Sequence, residues 1–122
     1  MAHIVIVDPD QSIRKLLGYI VSLLDWTSYL AASSREVWQL IEKTPPDLII
    51  AEVDLNKMSG IELVWNMSQD RMLAHIPVIL MGSPYQENDA LAAGCAAFIA
   101  KPFSVEKLLQ LLPYLISERL PR

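Results

Sequence analysis

Four acids and one lysine in this chain are placed to do chemistry: Asp8, Asp10, Glu52, Asp54 and Lys101. They cluster at the ends of short apolar runs. HIVIV (3–7) leads into Asp8-Pro9-Asp10, LIIA (48–51) ends at Glu52 with Asp54 two residues on, and AAFIA (96–100) ends at Lys101-Pro102. A fourth run, PVILM (77–81), ends at Gly82-Ser83. Carboxylates are oxygen donors for a hard divalent cation, and a lysine ammonium is a compact charge for phosphate oxygens. An acidic pocket with one facing lysine is therefore suited to a divalent cation and a phosphoryl group.

Such a pocket exists only if the four runs are neighbouring strands that end at one edge. The pattern between them supports this. Apolar residues at 13, 16, 17, 20, 21 and 24 predict a helix over 11–24, and Thr27–Ala31 reads as a weaker strand. Ser33 with Glu36 is a capping box for a helix to about Lys43, which Pro45-Pro46 stops. Ser59 with Glu62 is a second box, for a helix from Gly60 to about Met67, with Ile61, Val64 and Met67 or Ser68 as its buried stripe. Ser83 with Gln86 is a third box, with Pro84 at the first position, and starts a short fourth helix that Gly94 ends. Ser104 caps the last helix, in which Pro113 predicts a kink or an early stop. Five strand–helix units with short connections imply a parallel sheet with helices on both faces and ligands at the strand C-termini.

Bulk properties narrow the function. The 122 residues are 52% hydrophobic and 20% charged, with net charge −4. That is a globular chain without a basic footprint for nucleic acid. No run of 18 apolar residues suggests a membrane span, and the first apolar run begins too early to follow a signal peptide. A lone Cys95 fits a reducing, cytoplasmic setting and reads as a buried filler beside Ala96 and Ala97. His3 at a strand edge and His75 in a loop lack metal-ligand spacing.

IVIVDPDQSIRKLL, PDLIIAEVDLNKMSGIEL, LAHIPVILMGS and GCAAFIAKPFSVEKL together resemble the receiver domain of two-component response regulators. The resemblance runs from His3 to about Ile116. It implies a flavodoxin-like α/β fold, a five-stranded parallel sheet of order 2-1-3-4-5 with five helices, occupying 1–118 and leaving 119–122 as a tail. It also implies a signalling role, in which a histidine kinase passes phosphate to an aspartate and the output face changes in response.

The active positions depart from that family's pattern. Asp8 matches the first of the paired acids after strand one, but Pro9 stands at the second. Glu52 stands at the phosphoacceptor aspartate and Gly82 at the hydroxyl residue ending strand four. Lys101 and Pro102 match, and Phe98 fills the aromatic switch position. Asp54 falls where the family lends metal a backbone carbonyl. The stretch from Gly82 to Gly94 is about one helical turn shorter than usual. Losing the acid at Pro9 removes a ligand for Mg²⁺, and Glu52 is one methylene too long for in-line attack, where a displacement of about 1 Å can cost roughly 10²-fold.

The sequence therefore predicts a non-enzymatic, phosphorylation-independent interaction module with lost or weak Mg²⁺ binding and no metal or cofactor. Glu52 is expected to pair with Lys101, and Asp10 to cap a helix. Trp65, Tyr85, Leu111 and Tyr114 are the expected interface residues. The expected partners are signalling proteins, an attached output domain, or a second copy through the fourth-helix, strand-five and last-helix face, with neither nucleic acid nor membrane. Two other readings stand beside this one. The first is an Mg²⁺-dependent receiver phosphorylated on Glu52 or Asp54. The second is a flavin- or nucleotide-binding module of the same fold, although the four scattered glycines form no phosphate-binding motif.

Overall fold

The computed structural model describes residues 2–119. Its elements alternate without exception: β1 (His3–Val7), α1 (Gln11–Ser22), β2 (Thr27–Ala31), α2 (Ser34–Lys43), β3 (Leu48–Glu52), α3 (Gly60–Ser68), β4 (Val78–Gly82), a 3₁₀ turn (Pro84–Gln86), α4 (Glu87–Ala93), β5 (Ala97–Ala100) and α5 (Val105–Arg119). The strands form one parallel sheet in the order β2-β1-β3-β4-β5. This is the flavodoxin-like arrangement implied by the resemblance. The remainder of the expected tail, 120–122, lies outside the described residues.

Pleating sends alternate strand residues to opposite faces, and each face has its own core. Val5, Val7, Ile49, Ala51, Val78 and Leu80 pack with Val37 and Ile41 of α2 and with Leu63, Val64 and Met67 of α3. Ile4, Ile6, Leu48, Ile50, Ile79 and Met81 pack with Leu17, Ile20 and Val21 of α1 and with Leu108 and Leu112 of α5. Each large side chain so buried contributes roughly 1.5–3 kcal/mol. Burial on both faces explains why β3 and β4 read as unbroken apolar runs.

Four local expectations are corrected. Helix α1 ends at Ser22 rather than Leu24, because the N–H groups of Leu23, Leu24 and Asp25 turn to carbonyls three residues back and Asp25 takes a left-handed φ of 59°. The buried stripe of α3 is Gly60, Leu63, Val64 and Met67, with Ile61 only partly covered. Helix α5 runs through Pro113 to Arg119. Proline removes one N–H, but Leu108, Leu109, Leu111, Leu112, Leu115 and Ile116 pack on one core and carry the helix past it. His3 begins β1, which lies inside the sheet between β2 and β3, and its ring stacks near-parallel to Tyr29 with centroids 6.0 Å apart.

Of the three capping boxes the spacing predicts, those at α2 and at the 3₁₀ turn form in full, whereas at α3 only half of one forms, the Ser59 hydroxyl accepting from the Glu62 N–H. Gly94 ends α4 at φ 107°. Gly60 meets a tighter demand. A Cβ there would lie 2.5 Å from the Glu52 carbonyl oxygen and 2.9 Å from Leu80 Cδ2, while the Gly60 N–H donates to the Val53 carbonyl at 2.7 Å. That close approach fixes the loop that follows Glu52.

Candidate functional site

Parallel strands bring Asp8, Glu52, Gly82 and Lys101 to one edge of the sheet, because β1, β3, β4 and β5 are adjacent and end together. Lys101 is the hub. Its Nζ donates to Asp8 Oδ2 at 3.0 Å and to Glu52 Oε1 at 2.5 Å. The remaining carboxylate oxygens are also engaged. Asp8 Oδ1 accepts from the Asp10 N–H at 2.9 Å, and Glu52 Oε2 accepts from the Asp54 N–H at 2.9 Å. Asp8 is 2% exposed, so the pairing satisfies a charge that burial would otherwise heavily penalise.

Electrostatics at Lys101 run in two directions. Burial favours the neutral amine, but the hydrogen bonds and charges of Glu52 and Asp8 outweigh it and hold the ammonium above its ordinary value. The pairing of Glu52 with Lys101 was legible in the sequence; the second arm, to Asp8, was not.

Two residues at the site carried no signal for this role. Arg14 Nη1 donates to the Asp8 carbonyl at 2.6 Å and to the Pro9 carbonyl at 3.1 Å, covering the loop after β1 with a second cation. Gln86, expected from the sequence only as a capping residue, also spans the pocket. Its Oε1 accepts from the Ser83 N–H at 2.9 Å and its Nε2 donates to Asp54 Oδ1 at 3.2 Å. A Cβ at Gly82 would collide with that same Oε1. The Gln86 amide thus occupies the space into which a side chain at position 82 would project. Capping-box spacing marks Gln86 in the sequence, but its reach to Asp54 depends on two loops meeting.

The other expected site residues divide. Asp10 caps α1, accepting from Ser12 and Ile13 N–H at 2.8 and 3.3 Å. Asp54 is exposed, and Pro9 contributes no side-chain donor. Among the described residues, no three His, Cys, Asp or Glu side chains gather to hold a metal ion. The loop after β1 spends its Asp10 N–H on Asp8, so it does not form the cradle of free N–H groups that a nucleotide phosphate needs. The Lys101–Pro102 peptide is cis.

Phe98, Pro102, Leu111 and Tyr114 line one groove of about 770 Å³ along β5 and α5, together with Phe103 and Lys107. Trp65 and Tyr85 are 56% and 81% exposed and do not line it. Leu111 is partly buried rather than free, because it also packs on the core beneath α5. Cys95 is buried, and desolvation pushes its thiol upward, which fits a packing role. Among the described residues, no helix is long and apolar enough to cross a membrane.

Comparison with known proteins agrees with this geometry. Residues 4–113 match the family model of the response regulator receiver domain. The polar-differentiation response regulator DivK of Brucella ovis is 28% identical over 110 residues, covering 88% of this chain and 89% of DivK. The regulatory protein VirG of Agrobacterium tumefaciens is 27% identical over 113 residues, covering 89% of this chain but 41% of VirG, so the chain spans about two-fifths of that relative. Among solved structures, the signal receiver domain of a histidine kinase from Syntrophus aciditrophicus superposes with a TM-score of 0.91 at 27% identity, covering 97% of this chain and 92% of that one. Chemotaxis response regulator CheY4 of Vibrio cholerae gives 0.86 at 27% identity, covering 94% and 98%. The chain belongs to the response regulator receiver domain family.

Proposed function

We propose that this receiver domain signals without being phosphorylated, as a constitutive protein-interaction module of a two-component system. The observation that carries the reading is Lys101 held between Asp8 and Glu52. In the family, those positions serve a Mg²⁺ ion and a phosphoaspartate. Here one ammonium already bridges both acids, and every oxygen of the pair has a partner.

The donor set does not fit Mg²⁺. That ion needs near-octahedral oxygen geometry at about 2.0–2.1 Å. Pro9 offers no carboxylate, Arg14 covers the carbonyls of Asp8 and Pro9, and a lysine ammonium stands between the remaining two acids. Gly82 supplies no hydroxyl for a phosphoryl oxygen. The partners that suit such a domain are a signalling protein or an output domain joined to it, engaged through the groove of Phe98, Leu111 and Tyr114. A second copy on the same face is a further partner of this kind.

Intact-mass spectrometry tests the reading. The protein is incubated with a small acyl-phosphate donor and Mg²⁺, and the expected mass is unchanged. A donor-dependent phosphate adduct on Glu52 or Asp54 would overturn the proposal in favour of an active phosphoacceptor.

A further inference from the structure

We infer that Gln86 is an internal latch. Its side-chain amide ties the loop after β4 to the loop after β3 through the space above Gly82, and holds that side of the pocket closed without phosphate. The inference concerns regulation of the same site and rests on the reading that no phosphoryl group organises it.

The chemistry at position 86 is specific. The bridge needs an acceptor for the Ser83 N–H and a donor for Asp54 Oδ1 on one short side chain. A carboxamide carries both at its two ends, whereas a carboxylate only accepts and an ammonium only donates. The bridge also needs room. A Cβ at position 82 would overlap Gln86 Oε1 and stand 3.3 Å from Val53 Cγ2, so only glycine leaves the amide its place. Gln86 is partly buried while Ser83 and Asp54 are exposed, so the amide is the sheltered member of the bridge. Ser83 follows β4 directly, and Asp54 lies two residues beyond the end of β3. The latch therefore links the ends of two neighbouring strands where, in the family, a phosphoryl group makes that link.

Amide hydrogen exchange and ¹⁵N relaxation dispersion on the intact chain test this. Gln86→Ala should speed exchange of the Ser83 amide about fivefold to tenfold, the loss expected for one net hydrogen bond. It should also bring millisecond exchange broadening to Val53, Asp54 and Ser83. Gln86→Glu is nearly isosteric and still accepts from the Ser83 N–H but cannot donate to Asp54, so at neutral pH it should keep Ser83 protected while bringing the millisecond broadening of Gln86→Ala to Val53 and Asp54. Asp54→Asn keeps an acceptor oxygen and should keep native exchange at Ser83. Native behaviour in Gln86→Ala would overturn the latch. Gln86→Glu without broadening at Val53 and Asp54 would also overturn it, by reducing position 86 to a local cap of Ser83. A phosphate adduct in the mass experiment would instead overturn the proposed function, whatever Ser83 does, so the two failures are separable.

Discussion

Lys101 reaches Glu52 across an intervening strand: its Nζ lies 2.5 Å from Glu52 Oε1, although β4 separates the strand before the lysine from the strand that ends at the acid. The strand between them ends at Gly82, which raises no side chain at that edge. The same ammonium then meets Asp8 at the end of β1, so one cation joins the ends of three strands.

Removing the cation should therefore be costly. Lys101→Met leaves Asp8, 3% exposed at its side chain, and Glu52, 12% exposed, as facing uncompensated carboxylates. Breaking a pair of this burial typically costs about 3–5 kcal/mol. Urea denaturation should register a loss near the lower figure, since the lysine side chain keeps 26% exposure. The triple change Asp8→Leu, Glu52→Met, Lys101→Met should recover most of it, because no charge then stays buried. A Lys101→Met loss under about 1 kcal/mol would mark the bridge as a surface pair.

The same bridge sets a pH limit. The Lys101 ammonium is held above its ordinary value of 10.5 in the folded chain, so folding and protonation support each other. The stability it adds is fully present below about pH 10.5 and is lost as pH rises through the raised folded value. Denaturation midpoints measured across the alkaline range should fall more steeply above that point for the native chain than for Lys101→Met. Parallel curves would contradict the assignment.

Gly60 should resist substitution more than its helix-start position suggests. The added methyl of Gly60→Ala would meet the Glu52 carbonyl oxygen at 2.5 Å and Leu80 Cδ2 at 2.9 Å, and the first of these is backbone. Overpacking of this kind costs about 1–3 kcal/mol. Thermal unfolding would show it as a lowered midpoint, whereas Gly18→Ala, whose nearest contact is 3.4 Å, should shift far less.

Restoring family residues should succeed only as a set. Glu52→Asp alone leaves Pro9 without a ligand, so calorimetry should detect no Mg²⁺ binding. Pro9→Asp, Glu52→Asp and Gly82→Thr together should recover binding. Adding Gln86→Ala should raise the thermal unfolding midpoint of the triple variant, by clearing the space that a threonine side chain needs at position 82. Equal Mg²⁺ affinity in Glu52→Asp and in the full set would refute the need for the other changes.

Much of this architecture is legible in the residues themselves. LIIAE and VILMG read as buried parallel strands because both faces of the sheet are covered, and Ser33-Glu36 and Ser59-Glu62 announce their helices through local chemistry. The meeting of Glu52 with Lys101 also follows, since strand order and a buried acid's need for a partner leave few choices. Arg14 over the Asp8 and Pro9 carbonyls does not follow, because a long side chain's target depends on how the loop curls beneath it. The bridge made by Gln86 is hidden for a related reason. Its local box with Ser83 accounts for the residue, and nothing along the chain marks the reach to Asp54, 32 positions away. The early end of α1 was set by the local turn at 23–25, which apolar spacing does not show, and the passage of α5 through Pro113 by packing on the core.

The Gly82–Gln86 contact also bears on ancestry and return. A lineage that holds glycine at 82 and glutamine at 86 cannot regain a hydroxyl side chain at 82 in one step without evicting the amide, which strands the Ser83 N–H and Asp54 together. The colliding atom is the far end of a flexible side chain, so the penalty is the lost bridge rather than a clash with backbone. Positions 82 and 86 are thereby epistatic: the effect of a side chain at 82 depends on which residue stands at 86.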